Sequence, residues 1–245
     1  MTFVLSAART LWGQALLPEI YSFHIFFVAL VFFLGYRYSI NPCKKGVCVL
    51  SFVYGIALTN HLLILFIIPM LLFWIGLRTI WFIMKNGGIF HCMVFFLVGL
   101  SINIYLPIRS SSHPVLDWGS TRIALNFINH LTGSQFHSSM FALPLQVIFL
   151  NIKRIMEWMW VSLPLYYLIF VFTGIIFIKK KPVILMVLVT GILMLTGISN
   201  YDIPDIDNYY VGLALFTAIP AVFGIQFIVN RICWNHPRNA FFLSL

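Results

Sequence analysis

Between Gly46 and Leu77 stand 32 residues without one Asp, Glu, Lys or Arg. Such a run is long for one crossing of a bilayer, which takes about 20 apolar residues, and short for two. Thr59, Asn60 and His61 stand at its middle, so the run predicts a hairpin that turns at Asn60 and His61. Each arm then has about 14 residues, roughly 21 Å at 1.5 Å per residue, against a hydrocarbon core of roughly 30 Å. The turn therefore lies below the membrane surface. Backbone bent at that depth is tolerated only where protein buries it or where it lines a wet cavity. Two readings follow for Asn60 and His61: they line such a cavity, or they cap two helix ends and bond the freed backbone groups.

The rest of the chain repeats the apolar theme at lengths that span. With 61% of residues hydrophobic and 9% charged, the sequence describes an all-α polytopic membrane protein rather than a soluble domain. Residues 1–245 read as a single membrane domain of about seven transmembrane or re-entrant helices. The spans are residues 20–34, the two arms of the hairpin, 89–106, 156–178, 183–198 and 211–229. The excess of 15 Lys and Arg over 6 Asp and Glu does not indicate nucleic acid, because the basic residues form short clusters between spans. With the hairpin in place, Arg37, Lys44, Lys45, Arg78, Lys85, Lys179, Lys180, Lys181, Arg231 and Arg238 share one side. Arg109, Arg122, Lys153 and Arg154 share the other. The positive-inside rule makes the first side cytoplasmic. Cys43, Cys48, Cys92 and Cys233 lack CxxC spacing and argue for neither a disulfide framework nor a zinc site.

The chain opens on a stub, residues 1–8, apolar but too short to span and without a signal-peptide cleavage pattern. Residues 10–17 read as an interfacial segment anchored by Trp12, and Pro18 with Glu19 opens the next helix. Residues 107–155 form an external loop with an interfacial helix, marked by the helical spacing of Ile123, Phe127, Ile128 and Leu131. His113, His130 and His137 lack the i, i+4 spacing of a helical ligand pair, which favours hydrogen-bonding histidines over a metal site.

Within the loop, YLPIRSSSHPVLDWGS at residues 105–120 gathers Arg109, His113, Asp117 and Trp118. Arg109 suits a phosphate and Trp118 a sugar face, while an ordinary interfacial loop would use the same two residues as headgroup anchors. All six acids, Glu19, Asp117, Glu157, Asp202, Asp205 and Asp207, fall on the non-cytoplasmic side. Either carboxylates there bind a divalent cation, abstract a proton or hold sugar hydroxyls, or acids simply avoid the cytoplasmic loops of a basic chain.

Four separated motifs, WGQALLPEIYS at 12–22, GIALTNH at 55–61, YLPIRSS at 105–111 with DWG at 117–119, and YDIPD at 201–205, keep an order that resembles the protein O-mannosyltransferase-like family of polytopic GT-C glycosyltransferases. The resemblance covers nearly the whole chain. It implies a partial GT-C-like fold and a membrane enzyme of a bacterial plasma membrane or an endoplasmic reticulum. Its donor is a polyprenyl-phosphate sugar, with mannose as the candidate, drawn from the membrane lipid, and its acceptor a hydroxyl of a protein or glycan on the non-cytoplasmic face. Glu19 and Asp205 become the catalytic carboxylates. Asn60, His61, Arg109, His113, Asp117, Trp118, Asp202, Asp207 and Tyr209 become substrate-binding groups. A divalent cation is compatible with these groups, and the resemblance fixes no cofactor.

The family also carries a first span and an external acidic loop that this sequence lacks, so the resemblance implies an N-terminally truncated member that is inactive by itself. Two other classes stay open: a transporter or flippase of a lipid-linked or small anionic solute built on a broken helix at Asn60 and His61, and a non-catalytic membrane subunit.

Overall fold

A computed structural model describes residues 13, 16, 20–76, 88–179, 181–203 and 206–233. The stub at 1–8, Trp12, Glu19, Asp205, Arg78, Lys85, Lys180 and Arg238 lie outside the described residues. Among the described residues the chain is helical, with no strand and a lone β-bridge between Met140 and Tyr201.

Helix α1, Ile20–Ile40, is 21 residues of nearly unbroken apolar sequence ending on Arg37. It is followed by α2, Lys44–Asn60, whose first turn is capped by Cys43 accepting from Gly46 N–H at 3.3 Å. At His61 the backbone becomes extended (φ −157°, ψ 134°), and the chain enters a 3-10 turn, Leu62–Ile67, and then α3, Ile68–Ile75. Pro69 falls in the first turn of α3, where no helical N–H is missed. The chain reverses here, because the Tyr54 hydroxyl reaches back to donate to Ile64 O at 3.1 Å. The second arm then descends beside α1, where Leu71 and Trp74 fill the notch at Gly35. The predicted hairpin is present, with its turn at Asn60 and His61.

Helix α4, Gly88–Leu100, passes through a 3-10 turn, Ser101–Ile104, into α5, Tyr105–Ser111. Together they form an apolar helix of 24 residues, Gly88–Ser111. Pro107 does not end it as the sequence suggested; the tighter turn just before the proline accommodates a residue without an N–H. Helix α4 runs in the same direction as α2. Lys44 faces His91, and farther along both helices Gly55 faces Gly99. A Cβ on Gly99 would stand 3.2 Å from Gly55 Cα and 3.0 Å from Ile56 N, so the two backbones touch as small-residue helix pairs in membranes do.

A layer follows at the His61 end. Helix α6, Ala124–Thr132, is stopped by Gly133 in the left-handed conformation (φ 65°, ψ 28°), as glycine permits, and a 3-10 turn, Ser134–Ser139, comes next. Helix α7, Leu145–Ser162, and helix α8, Leu165–Phe177, replace the single span expected at 156–178. Leu163 is extended before Pro164, as residues preceding proline tend to be, and the proline starts α8 instead of continuing α7. The remaining helices are α9, Lys181–Ser199, then a 3-10 turn, Ile206–Tyr209, α10, Tyr210–Phe216, and α11, Ala218–Cys233. The amide of Asn151 donates to Ser199 O at 3.0 Å and Trp158 meets Tyr210 edge-on. Helix α7 thus lies across the ends of α9 and α10.

Helices α8 and α11 form a second parallel pair. Tyr167 and Thr217 share a hydrogen bond of 3.0 Å at one end, Phe177 stacks on Phe227 at the other, and a Cβ on Gly174 would come within 3.0 Å of Gly224 N between them. The main core is formed by Val28 and Val31 of α1, Leu50 and Ala57 of α2, Ile64 and Met70 of the second arm, and Met194 and Ile198 of α9, with Phe216. Four helices, Ile20–Ile40, Gly88–Ser111, Lys181–Ser199 and Ile206–Ile232, are long and apolar enough to cross a membrane, beside the shorter apolar helices Leu62–Ile75 and Leu165–Phe177. The chain is an all-α integral membrane protein.

Candidate functional site

The break at His61 places its imidazole among three rings from two other segments. Tyr21 and His24 stand three residues apart on α1 and so share a face. The His61 ring centroid lies 5.1 Å from that of His24, 5.7 Å from Tyr21 and 5.2 Å from Tyr209. Tyr209 ends the 3-10 turn that leads into α10, and it also meets Tyr21 at 5.7 Å and Tyr201 at 5.6 Å. The Tyr209 hydroxyl interacts with the hydroxyls of both Tyr21 and Tyr201. Tyr21, His24, Tyr201 and Tyr209 are buried and His61 is half-buried. Tilted and edge-on arrangements at these separations are the favourable ones for aromatic pairs.

Local sequence explains how His61 is held. Its Nδ1 accepts from Leu63 N–H at 3.2 Å, capping the 3-10 turn, so in the neutral ring the proton sits on Nε2. His24 is packed more tightly: its Nε2 lies 3.9 Å from where a Cβ of Gly212 would stand. That is an ordinary van der Waals distance, which sets the ring against α10. Its Nδ1 is buried without a hydrogen-bond partner among the described residues, and so is Asn60 Oδ1. Two unsatisfied polar atoms beside one imidazole are a costly arrangement that a polar ligand would relieve.

The layer formed by α6 and the 3-10 turn after it closes over this cluster. A Cβ on Gly133 would lie 2.8 Å from Leu62, next to His61, and Phe136 meets Tyr201 at 6.5 Å. The bridge at Met140 is flanked by Phe141 N–H donating to Asn200 O at 2.8 Å and Asp202 N–H donating to Ser139 O at 3.0 Å. Asp202 and Asp207 are exposed at this edge, and Tyr210 faces both Asp207 and Arg154.

A second polar group occupies the turn after α5. Ser110, buried, donates to Asp117 Oδ2 at 3.0 Å and accepts from Arg122 N–H at 3.1 Å, while the Arg122 guanidinium bonds the same Asp117 oxygen at 2.9 Å. Asp117 is therefore committed to holding the turn. Arg109 is exposed, and its guanidinium donates to Ser112 Oγ at 2.8 Å. His113 adopts φ 49° and Trp118 is 78% exposed.

The structure thus brings together His61 and Tyr209 of the residues expected from sequence, with Asn60 adjoining and Asp202 and Asp207 at the edge. It places Arg109, His113, Asp117 and Trp118 in the separate turn, while Glu19 and Asp205 fall outside the described residues. Sequence reasoning did not single out Tyr21, His24 or Tyr201 as site residues. For His24 a signal existed, since an ionisable side chain within an apolar span marks a functional position by default. Tyr201 opens the motif YDIPD at 201–205, but its packing against Tyr209 comes from the tertiary fold.

Residues 2–84 match the family described as Protein O-mannosyl-transferase TMEM260 N-terminal domain. Tyr21, His24, Asn60 and His61 fall inside that stretch, while Arg109, Tyr201 and Tyr209 lie beyond it. No curated protein and no solved structure matches the chain. The similarity is to a glycosyltransferase family, and the cluster has fitting chemistry. Aromatic faces stack on the C–H face of a sugar, and tyrosine hydroxyls with an imidazole N–H reach its hydroxyls or a phosphate oxygen.

Proposed function

We propose that this protein is a membrane glycosyltransferase that moves a sugar, mannose in keeping with the matching family, from a polyprenyl-phosphate carrier to an acceptor hydroxyl of a protein or glycan on the non-cytoplasmic face. The observation that carries the reading is the cluster of Tyr21, His24, His61, Tyr201 and Tyr209 at the break in an apolar hairpin, beneath the layer of α6. A lipid-linked donor reaches such a place sideways from the bilayer. The sugar stacks on the tyrosine rings, while Arg109, in the separate turn and held by Ser112 instead of an acid, is the phosphate ligand that the family resemblance assigns.

In the reaction a carboxylate accepts the proton of the acceptor hydroxyl, the acceptor oxygen bonds the anomeric carbon, and the carrier phosphate leaves with the electron pair of the broken bond. Glu19 and Asp205 are the carboxylates that the family resemblance assigns to this task. Single displacement inverts the anomeric centre, by the same logic that governs inverting glycosidases.

The test is a binding and transfer assay on the 245-residue chain in liposomes, with a photoreactive polyprenyl-phosphate mannose. Crosslinks mapping to peptides around Tyr21, His61 and Tyr209, lost in His61→Ala and competed by unlabelled donor, are the expected result. Uncompeted labelling, or labelling that ignores these peptides, overturns the reading. The break at His61 favours a second reading, a flippase for the lipid carrier, which predicts movement of a fluorescent polyprenyl phosphate between leaflets without sugar transfer.

A further inference from the structure

The contact between α2 and α4 has a feature at its other end that the site does not use. Counting back seven residues, two helical turns, from Gly55 and from Gly99 reaches Cys48 and Cys92. Parallel helices in register turn such positions toward each other. The register is held at that end, where Lys44 Nζ stands 3.4 Å from His91 Nε2. The two thiols are neighbours, close enough to interact electrostatically across the helix pair. Cys48 is buried, Cys92 is half-buried, and neither is in a disulfide.

We propose that Cys48 and Cys92 are a dithiol modification site that closes to a disulfide when a small-molecule disulfide oxidises it, tying α2 to α4. A disulfide needs Cα atoms about 4.4–6.8 Å apart. Helices packed through ordinary side chains, with axes about 8–10 Å apart, seldom offer that, whereas helices brought together on glycine do. The more accessible thiolate, Cys92, attacks the oxidant RSSR and releases one thiol RSH, leaving Cys92 as a mixed disulfide. The Cys48 thiolate then attacks Cys92 Sγ and expels the second RSH. The protein loses two hydrogens, and the oxidant is reduced to two thiols.

Both helices lead to polar groups at their far ends, α2 to Asn60 and His61, and α4 through α5 to Arg109. The bond would fix the spacing of the two struts that carry those groups, whichever reaction the protein performs. Cys43 provides an internal control, since it is exposed and its sulfur already caps α2.

The experiment uses the full chain in detergent micelles, treated with oxidised glutathione and analysed by intact mass and by peptide mapping. The expected result is loss of two hydrogens and a linked peptide pair containing Cys48 and Cys92. That pair is released by dithiothreitol, unchanged in Cys43→Ser and absent in Cys92→Ser. The oxidised chain should also unfold at a higher temperature than the reduced one. A stable glutathione adduct on Cys92 without closure, a linked pair that joins either residue to Cys43 or Cys233, or no reaction at all overturns the proposal. The wild-type chain carries the decisive measurement, so a misfolded variant cannot obscure it.

Discussion

The rings around His61 come from residues as far apart as 21 and 209, whereas the group around Asp117 is complete within residues 109–122. The first is buried and held by tertiary packing of α1, the hairpin and the approach to α10. The second is exposed or half-exposed apart from Ser110 and is held by hydrogen bonds within one turn. A long-range cluster forms only when the whole bundle has formed and shares its cooperativity. A local turn can hold its shape, or lose it, largely by itself. The two groups should therefore respond differently to the same kind of insult.

The largest effect should come from Tyr209→Ala. Tyr209 touches three other rings of the cluster, and truncating such a buried aromatic costs about 3 kcal/mol or more, read as earlier unfolding when SDS is titrated into mixed micelles. A loss below about 1 kcal/mol would mean that the cluster is not a packing unit, and the contrast would fail.

Asp117→Ala should cost less, about 1 kcal/mol, because the pair with Arg122 is partly exposed while Ser110 is buried and loses its acceptor. The effect should be local. Hydrogen exchange at the Arg122 amide should quicken while amides of α1 and α10 keep their rates, and faster exchange throughout would erase the distinction.

Tyr209→Phe keeps the ring and removes only the hydroxyl, so stability should fall by about 1 kcal/mol or less. Donor crosslinking should drop more than stability does, separating a ligand-binding hydroxyl from a packing ring. Arg109→Lys should be the mildest, within about 0.5 kcal/mol in unfolding. It should still weaken capture of the carrier phosphate several-fold, because a point charge replaces a planar fork. Unchanged capture would remove Arg109 from the donor path.

The contrast also explains what could be read in advance. Arg109, Asp117 and Trp118 stood out because they are neighbours in sequence, and the hairpin was visible because a charge-free run of that length at Asn60 and His61 had few other solutions. The mutual partnership of Asp117, Ser110 and Arg122 was not visible, since spacing does not reveal which acceptor a carboxylate will choose. Helix α7 was misread as the start of a span. Trp158 and Trp160 suit an interface in either arrangement, and the deciding residue was Pro164, whose effect on Leu163 separates α7 from α8. The pairing of His24 with His61 depended on the packing of α1 against the hairpin, which leaves no local pattern.

The hairpin also constrains how the chain enters its membrane during synthesis. Its first arm has 17 residues, about 25 Å of helix, and its second has a six-residue 3-10 turn followed by eight residues of α3. Neither reaches across a core of about 30 Å alone. Each also ends at a polar break that would be stranded in lipid if that arm left the insertion machinery first. The two arms must therefore be released together, with the Tyr54–Ile64 hydrogen bond already available to close them. Asn60 and His61 are thus carried into place by the partitioning of their neighbours, before α9 or α10 has been synthesised to receive them.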